Sequence, residues 1–193
     1  LDESVSNICE ISGSKDEILI IDDGSTDLSD KKIKEIKNLD ARIKFVRRGH
    51  EGLVAALNYG VENSSNEFIA RVDVDDCYHR SRLDIQTKYL ENNPSVVALF
   101  SDYKMTSSSG SDLGLFACGI SPELTAFSLL SSQRTPHPVV MFRKSVAMKA
   151  GSYLITEFPA EDLGLWIRML KYGTIASVPQ ILLNYTVHNQ SIS

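Results

Sequence analysis

The sequence predicts an α/β fold with a doubly wound, mainly parallel sheet flanked by helices, and three observations carry this prediction. Short apolar runs alternate with amphipathic stretches at short intervals, an order typical of β-α-β units. The run Glu17–Asp22 is nearly all apolar between its ends, like strands buried on both faces of a parallel sheet. This run and the later run Phe68–Val72 both end in clusters of carboxylates.

The first half of the chain contains the clearest alternation. Apolar residues at helical spacing predict helices over Asp2–Ile11, a stretch ending near Leu39, Glu51–Val61 and Ser81–Asn92. Short apolar runs predict strands over Glu17–Asp22, Ile43–Arg47, Phe68–Val72 and Val96–Ser101. Crossovers between parallel strands of one sheet are right-handed, which predicts the doubly wound arrangement.

The pattern is weaker in the second half, where a run of small residues, Ser107–Ser111, predicts a mobile loop. Further helices are predicted over Pro122–Leu130, Lys144–Ala150 and Ala160–Tyr172. A short strand is predicted over Val139–Phe142, and two closing strands are predicted over Ile175–Val178 and Ile181–Val187. No internal repeat or interdomain linker divides the chain, so we expect one domain over residues 1–193.

Composition excludes several classes of protein. The chain has 193 residues, a formal net charge of -5 and no Lys/Arg stripe of the length that a nucleic-acid backbone requires. Three widely spaced cysteines without metal-ligand spacing predict reduced thiols in a cytoplasmic protein. Neither a membrane span nor a signal peptide is evident, and peripheral attachment to the inner face of the membrane is left open.

The carboxylates after the run Phe68–Val72 are the strongest chemical signal. Strand periodicity would put Asp73 and Asp75 on one side of the backbone, where two like charges repel unless a cation lies between them. Oxygen ligands of this kind suit Mg²⁺ or Mn²⁺, which commonly hold the phosphates of a substrate. The competing interpretation is a solvated acidic turn, in which Asp76 caps the helix that begins near Ser81.

Two further acidic features complete the candidate site. The carboxyl ends of strands in an open sheet meet at one edge, so Asp22 and Asp23 should line a nucleotide-binding crevice with Asp73 and its neighbours. The pair Glu161-Asp162 opens a predicted helix, where it either offsets the helix dipole or supplies a base at the mouth of the crevice.

Together these segments resemble, in order and spacing, the motifs of the family-two glycosyltransferases, which are inverting, metal-dependent enzymes of the GT-A fold. The matching segments are Ile20–Asp27, the small-residue stretch Gly52–Asn58, Ala70–Asp76, Glu161–Trp166 and Tyr185–His188. The resemblance spans nearly the whole chain.

The resemblance implies a role for each matching residue. Asp23, with Ser25 nearby, would bind the nucleotide base, Arg71 would lie near the nucleotide, and Asp73 would bind the ribose or the donor sugar. The other implied roles are metal ligation by Asp75 and His188, general base catalysis by Asp162, and contact with the acceptor or sugar by Glu161. The implied cofactor is Mn²⁺ or Mg²⁺, and the implied donor is a nucleotide-diphosphate sugar, with UDP-sugar expected.

The resemblance also implies a division of labour: residues 1–100 would bind the nucleotide-sugar, and residues 101–193 would bind a glycan or lipid-linked acceptor. His137 and Pro138 would line the acceptor pocket, and the Ser107–Ser111 loop would order on donor binding. The chain departs from the family at His50, at Thr186 and at Leu163-Gly164. The family's apolar first strand is absent before Leu1, so the base pocket is expected to be incomplete as printed.

Two alternatives remain open from the sequence. The segment Ile18–Asp23 also resembles the acidic pair of a phospho-receiver signalling domain, with Asp75 as phosphoacceptor. The second alternative is a non-catalytic relative that binds nucleotide-sugar without transferring it. Neither the sugar, the acceptor nor the oligomeric state follows from the sequence.

Overall fold

The computed structural model of the chain describes residues 2–74, 76–118 and 137–187. Within these ranges the helices are α1 (Asp2–Ile11), α2 (Asp30–Leu39), α3 (Leu53–Asn63), α4 (Arg82–Asn92), α5 (Lys144–Lys149) and α6 (Glu161–Met169). Single 3₁₀ turns cover His137–Val139 and Ile155–Glu157. The predicted helix over Pro122–Leu130 lies outside the described residues.

The strands in the described ranges are β1 (Ile18–Asp22), β2 (Ile43–Arg47), β3 (Phe68–Ala70), β4 (Cys77–Tyr78), β5 (Val96–Ser107), β6 (Asp112–Phe116), β7 (Met141–Arg143) and β8 (Thr174–Val187). β1 and β2 form a parallel pair, and the other strands form a second sheet in the order β3-β7-β5-β8-β4, with β6 beside β5. The α/β fold with flanking helices is therefore confirmed.

The sheet itself is mixed, which corrects the expectation of a mainly parallel one. In the second sheet β5 and β8 run parallel, whereas β3–β7, β5–β7, β4–β8 and β5–β6 are antiparallel. Parallel neighbours need a crossover of about a dozen residues or more. The connection between β5 and β6, residues 108–111, is too short for one, so these strands pair as a hairpin.

β5 explains why the second sheet is covered on both faces. Leu99 packs with Leu90 of α4 on one face, whereas Phe100 meets Trp166 of α6 edge-on, with ring centroids 5.8 Å apart. Alternation along a strand sends neighbouring side chains to opposite faces. α4 and α6 therefore lie on opposite sides of the sheet, and Trp166 is fully buried on its side.

The parallel pair β1–β2 has a small core of its own. Val5 and Ile8 of α1, and Ile36 of α2, are buried against Ile18 and Ile43, the first residues of the two strands. The amphipathic spacing that predicted α1 and α2 is therefore the spacing that covers this pair.

Two elements of the second half differ from their predicted form. β5 extends to Ser107, and the predicted mobile loop Ser107–Ser111 is a hairpin turn, in which Gly110 donates from its N–H to Ser107 at 2.8 Å. The two predicted closing strands form one strand, β8, whose register shifts around Pro179. Because proline has no N–H to donate to a sheet, the shift falls where the two predicted strands were separated.

Candidate functional site

Asp22 organises the turn that follows β1. Its Oδ1 accepts the N–H of Ser25 at 2.9 Å, and its Oδ2 accepts Arg47 Nε at 2.7 Å. Burial would raise the pKa of Asp22, but the hydrogen bonds from Ser25 and Arg47 outweigh it and hold the pKa below its ordinary value. This carboxylate is therefore a fixed anion that shapes the turn.

Asp23 joins the same turn to the start of α3. Its Oδ1 accepts the N–H of Glu51 at 2.8 Å and its Oδ2 the N–H of Gly52 at 2.7 Å. Gly24 follows at φ +85°, and a Cβ there would lie 3.0 Å from the backbone nitrogen of His50. The two loops are thus packed backbone against backbone, which requires glycine at position 24.

The second acidic segment begins after β3, which ends at Ala70, not at Val72 as predicted. Arg71 and Asp73 form an ion pair, and the N–H of Asp73 donates to Tyr78 Oη at 2.6 Å. Because the segment has left the strand, strand periodicity does not govern the orientation of Asp73. The predicted metal ligand Asp75 lies outside the described residues.

Asp76 does not cap α4, as the solvated-turn interpretation predicted, but binds the end of β8. It is buried, with 6% of its surface exposed, and its Oδ1 accepts the N–H of Thr186 at 3.1 Å. α4 begins at Arg82 after Ser81 and has no side-chain hydrogen bond at its N-cap. Asp76 therefore ties the acidic segment to the end of β8 instead of capping a helix.

The third acidic pair stands in the first turn of α6. Burial raises the pKa of Asp162, and the neighbouring charge of Glu161 adds to this, while the N–H of Leu163 and the charge of Arg71 oppose it. Glu161 is buried, with 5% of its surface exposed, and its Oε2 has no hydrogen-bond partner among the described residues. A carboxyl whose pKa is raised by burial is suited to accepting a proton.

An aromatic wall formed by His137, Tyr153 and Trp166 lies within electrostatic reach of Arg71 and of this pair. His137 Nε2 is 2.8 Å from Tyr153 Oη, and the imidazole meets the ring of Trp166 edge-on at 5.9 Å. Burial lowers the pKa of His137, and the charge of Arg71 lowers it further. Burial raises the pKa of Tyr153, whose phenol also senses the charge of Asp162.

Tyr153 also connects this wall to α3. Its backbone N–H donates to Asn58 Oδ1 at 2.9 Å, and its carbonyl accepts Asn58 Nδ2 at 2.9 Å. A cavity of about 350 Å³ lies there, lined by Glu51, Val54, Ala55, Asn58, Tyr153, Leu154 and Ile155. Glu51, whose N–H binds Asp23, and Tyr153 of the aromatic wall therefore line the same cavity.

Sequence reasoning named His137 for this region but missed Tyr153 and Asn58. Asn58 lies in the small-residue stretch Gly52–Asn58, which was the available signal. No spacing in the sequence marks Tyr153.

The departure at Leu163-Gly164 has a structural explanation. A Cβ built on Gly164 would overlap the carboxylate of Glu157. Glu157 forms an ion pair with Arg168 of α6, whose Nε also donates to the carbonyl of Ala150 at 2.9 Å. The missing side chain at position 164 therefore makes room for a carboxylate that comes from the preceding 3₁₀ turn.

Within residues 2–74, 76–118 and 137–187, no three His, Cys, Asp or Glu residues are close enough to hold a metal ion. Both predicted ligands, Asp75 and His188, lie outside these ranges. Their described neighbours Asp76 and Thr186 are hydrogen-bonded to each other, so the two segments that carry the predicted ligands meet.

Two further observations bear on the sequence predictions. All three cysteines, Cys9, Cys77 and Cys118, are free thiols. No helix in the described part of the chain is both long and apolar enough to cross a membrane.

The fold and the family match agree on the class. The arrangement of helices around a curled mixed sheet is that of the GT-A glycosyltransferases among the solved structures. The chain belongs to glycosyl transferase family 2, whose model matches residues 1–145. This finding also removes the phospho-receiver alternative.

Curated relatives cover most of the chain. An uncharacterized glycosyltransferase of Haemophilus influenzae is 28% identical over 213 residues, which span 100% of this chain and 63% of the relative. The Escherichia coli UDP-Gal:alpha-D-GlcNAc-diphosphoundecaprenol beta-1,3-galactosyltransferase is 28% identical over 90% of this chain and 63% of its own length. An E. coli O-antigen biosynthesis glycosyltransferase, WbnJ, is 29% identical over 99% of this chain and 76% of its own length. The chain thus spans less than two thirds of the first two of these relatives.

Solved structures share the fold at low sequence identity. The mannosyltransferase PcManGT from Pyrobaculum calidifontis, in complex with GDP-Man and Mn²⁺, has a TM-score of 0.73 at 17% identity and covers 98% of this chain and 54% of its own. S. aureus TarS 1-349 in complex with UDP-GlcNAc has a TM-score of 0.73 at 17% identity, covering 98% of this chain and 55% of its own. This likeness shows the fold alone.

Proposed function

We propose that the chain is the catalytic domain of an inverting glycosyltransferase, which moves a sugar from a nucleotide-diphosphate donor to a glycan or lipid-linked acceptor. The observation that carries the proposal is the partly buried carboxyl of Asp162, whose raised pKa and electrostatic coupling to Arg71 suit a general base beside a donor site. Family membership supplies the reaction class. The same assignment makes residues 1–100 the donor half and residues 101–193 the acceptor half.

The proposed donor site comprises Asp23, Ser25, Arg71 and Asp73. Both carboxylate oxygens of Asp23 already accept a backbone N–H, and each keeps a lone pair for a third donor such as the N–H of a uracil. Arg71 brings a guanidinium to the segment where a diphosphate would lie, and its pairing with Asp73 orients both groups. A UDP-sugar is the proposed donor, because one E. coli relative is named for UDP-Gal and TarS was solved with UDP-GlcNAc.

We assign Asp75 and His188 as ligands of Mn²⁺ or Mg²⁺. The hydrogen bond between Asp76 and Thr186 supports this, because it joins the two segments that carry the ligands. PcManGT, which shares the fold, was solved with Mn²⁺. When bound, such an ion would act as a Lewis acid that neutralises charge on the leaving diphosphate.

Side chains of this chain would accept the proton of the acceptor hydroxyl and orient the acceptor or the sugar. Asp162 would accept the proton of the acceptor hydroxyl as that oxygen attacks the anomeric carbon from the face opposite the diphosphate, which inverts the configuration. Glu161, buried beside it with a free Oε2 among the described residues, would contact the acceptor or the sugar. Base assistance of this kind is typically worth about 10²–10⁴-fold.

We place the acceptor on the side of His137, Pro138 and Tyr153. The hydrogen bond between His137 and Tyr153 gives this wall a fixed shape beside Asp162. The galactosyltransferase relative acts, by its name, on a diphosphoundecaprenol-linked sugar, which supports a lipid-linked acceptor and peripheral association with a membrane surface.

Donor binding can be tested by thermal unfolding of the full chain with UDP-, GDP- and dTDP-sugars, with Mn²⁺ or with EDTA. A donor at a hundredfold excess over its Kd should raise Tm by roughly 5–10 °C, and only with the metal. The matched control is Asp112→Asn, which removes a carboxylate that pairs with Lys104 in the β5–β6 hairpin and should not alter the shift. Stabilisation without any turnover would favour the non-catalytic relative, and no stabilisation by any donor would contradict both forms of the proposal.

A further inference from the structure

Arg82, the first residue of α4, crosses from that helix into the sheet. Its side chain is fully buried, and its Nη2 donates to the carbonyl of Arg71 at 2.8 Å and to that of Val140 at 3.1 Å. Val140 O also accepts the N–H of Arg71 at 3.1 Å. The guanidinium therefore closes a junction between the donor-side segment after β3 and the segment that enters β7.

Gln86, one turn further along α4, completes the same junction. Its Oε1 accepts Arg82 Nε at 3.0 Å, and its Nε2 donates to the carbonyls of Leu99 at 3.2 Å and Val139 at 2.9 Å. Gln86 is fully buried. Two side chains of one helix thus bind the backbone of three separate segments: the end of β3, β5, and residues 139–140.

This arrangement is costly for a purely structural contact. Within the described residues Arg82 makes no direct ion pair, although the charge of Asp76 favours its protonated form, and its Nη1 is buried without a hydrogen-bond partner. Burial lowers its pKa to about 10, so it stays charged at neutral pH. The ring of Tyr78 lies 4.6 Å from the guanidinium and offsets part of the cost. A buried charge of this kind is usually no gain in stability over an apolar side chain, which points to a role in geometry.

We infer that Arg82 and Gln86 are positioning residues, which clamp the segment carrying Arg71 and Asp73 to the segment carrying His137. The inference rests on the proposed function, since the two clamped segments form its donor side and its acceptor side. His137 is tied to the clamp because its carbonyl accepts the N–H of Val140 at 3.3 Å. The clamp sets the spacing between donor and acceptor without touching either.

The test compares Arg82→Lys and Gln86→Met with a matched control, Arg143→Lys. Arg143 also donates to backbone carbonyls, those of Leu90 at 2.7 Å and Val96 at 2.9 Å, but at the opposite end of α4. Lysine keeps the charge and loses the planar fork, so both arginine variants should lose comparable stability. Amide hydrogen exchange and steady-state kinetics are measured on all three variants and the wild type.

The clamp predicts that Arg82→Lys and Gln86→Met speed exchange in residues 71–78 and 137–143, and that Arg143→Lys speeds it near residues 90–97. In the two clamp variants, a small displacement of the reacting groups should lower kcat by about 10- to 100-fold and change the donor KM less. The control variant should keep the wild-type kcat. Unchanged exchange in both clamped segments, or faster exchange with wild-type kcat, would overturn the inference. If the wild-type chain turns over no donor, the proposed function fails, and the exchange comparison alone upholds or overturns the clamp.

Discussion

Two acidic pairs of this chain, Asp22-Asp23 after β1 and Glu161-Asp162 at the start of α6, have similar sequences and opposite surroundings. The first pair accepts hydrogen bonds on all four carboxylate oxygens, from backbone N–H groups and from Arg47. In the second pair, the carboxylate of Asp162 accepts one backbone N–H, that of Leu163. The Oε2 atom of Glu161 is buried without a hydrogen-bond partner among the described residues.

The difference teaches that the number of donors around a carboxylate, and not its place at the end of an element, decides what it can do. Donors stabilise the charged form, so the pKa of Asp22 is lowered and this carboxylate serves as a fixed anion. Burial without matching donors favours the protonated form, so the pKa of Asp162 is raised and this carboxyl is poised to take a proton.

The largest expected effect is the loss of kcat when Asp162 of the second pair is substituted. Asp162→Asn should lower kcat by about 10²–10⁴-fold, because an amide cannot accept the hydroxyl proton. Donor Kd, measured by titration calorimetry, should stay within a fewfold of wild type. An equal loss of donor binding would show that Asp162 holds the donor, and the base would have to be sought elsewhere.

The next largest effect is a difference in the free energy of unfolding between variants of the two pairs. Asp22→Asn should lower the free energy of unfolding by about 1–3 kcal/mol, because Asp22 is buried and an amide can accept only one of the two hydrogen bonds that its carboxylate accepts from Ser25 and Arg47. Asp162→Asn should leave the chain as stable or more stable at pH 7, because it removes a partly buried charge that its surroundings disfavour. Urea unfolding of both variants checks this, and a loss of stability in both would refute the contrast.

The same contrast should appear in the pH dependence of stability. The folded pKa of Asp22 lies below its unfolded value of about 3.9, so its contribution is present above that pH and is lost as the pH falls through the folded pKa. The folded pKa of Asp162 is raised, so this group costs stability as the pH rises from about 3.9 through the folded value. The free energy of unfolding is measured from pH 3 to 7. Asp22→Asn should reduce its dependence on pH at the acid end of this range, and Asp162→Asn should reduce it above about pH 3.9.

The smallest effect concerns Asp23. Asp23→Asn keeps one acceptor oxygen and loses one of the two backbone N–H bonds, so the loss of stability should be about 0.5–1.5 kcal/mol. If Asp23 also binds the base, UDP affinity should fall by more than this loss of stability explains. Matching affinities for wild type and variant would limit Asp23 to holding the loop together.

Most of the fold could be predicted from periodicity. The spacing of apolar residues in α1 and α2 matches the faces that are buried, and the long apolar run in β5 matches a strand covered on both sides. Strand direction could not be predicted as well, because β4 and β6 are short or half-exposed and lack an apolar run of their own. The expectation of a mainly parallel sheet was wrong for that reason.

Asp23 and Asp73 stood out in the sequence because they are charged and follow a strand, and their place in a donor site stays a prediction. Arg82 was missed because a basic residue at a helix start suggests an exposed position, and only the fold shows that it turns inward. Tyr153 was missed because its partners, Asn58 and His137, are distant in sequence. Contacts of this range leave no local pattern to recognise.

The shared space at Glu157 and Gly164 has a consequence for the evolution of this chain. Any side chain at 164 must displace the Glu157 carboxylate, which is also the partner of Arg168. Only one of the two positions can therefore place a side chain, and with it a negative charge, in the space beside Arg168. In a saturation library, an acidic residue at 164 should survive chiefly alongside a small residue at 157, so the two sites should show strong epistasis despite standing seven positions apart.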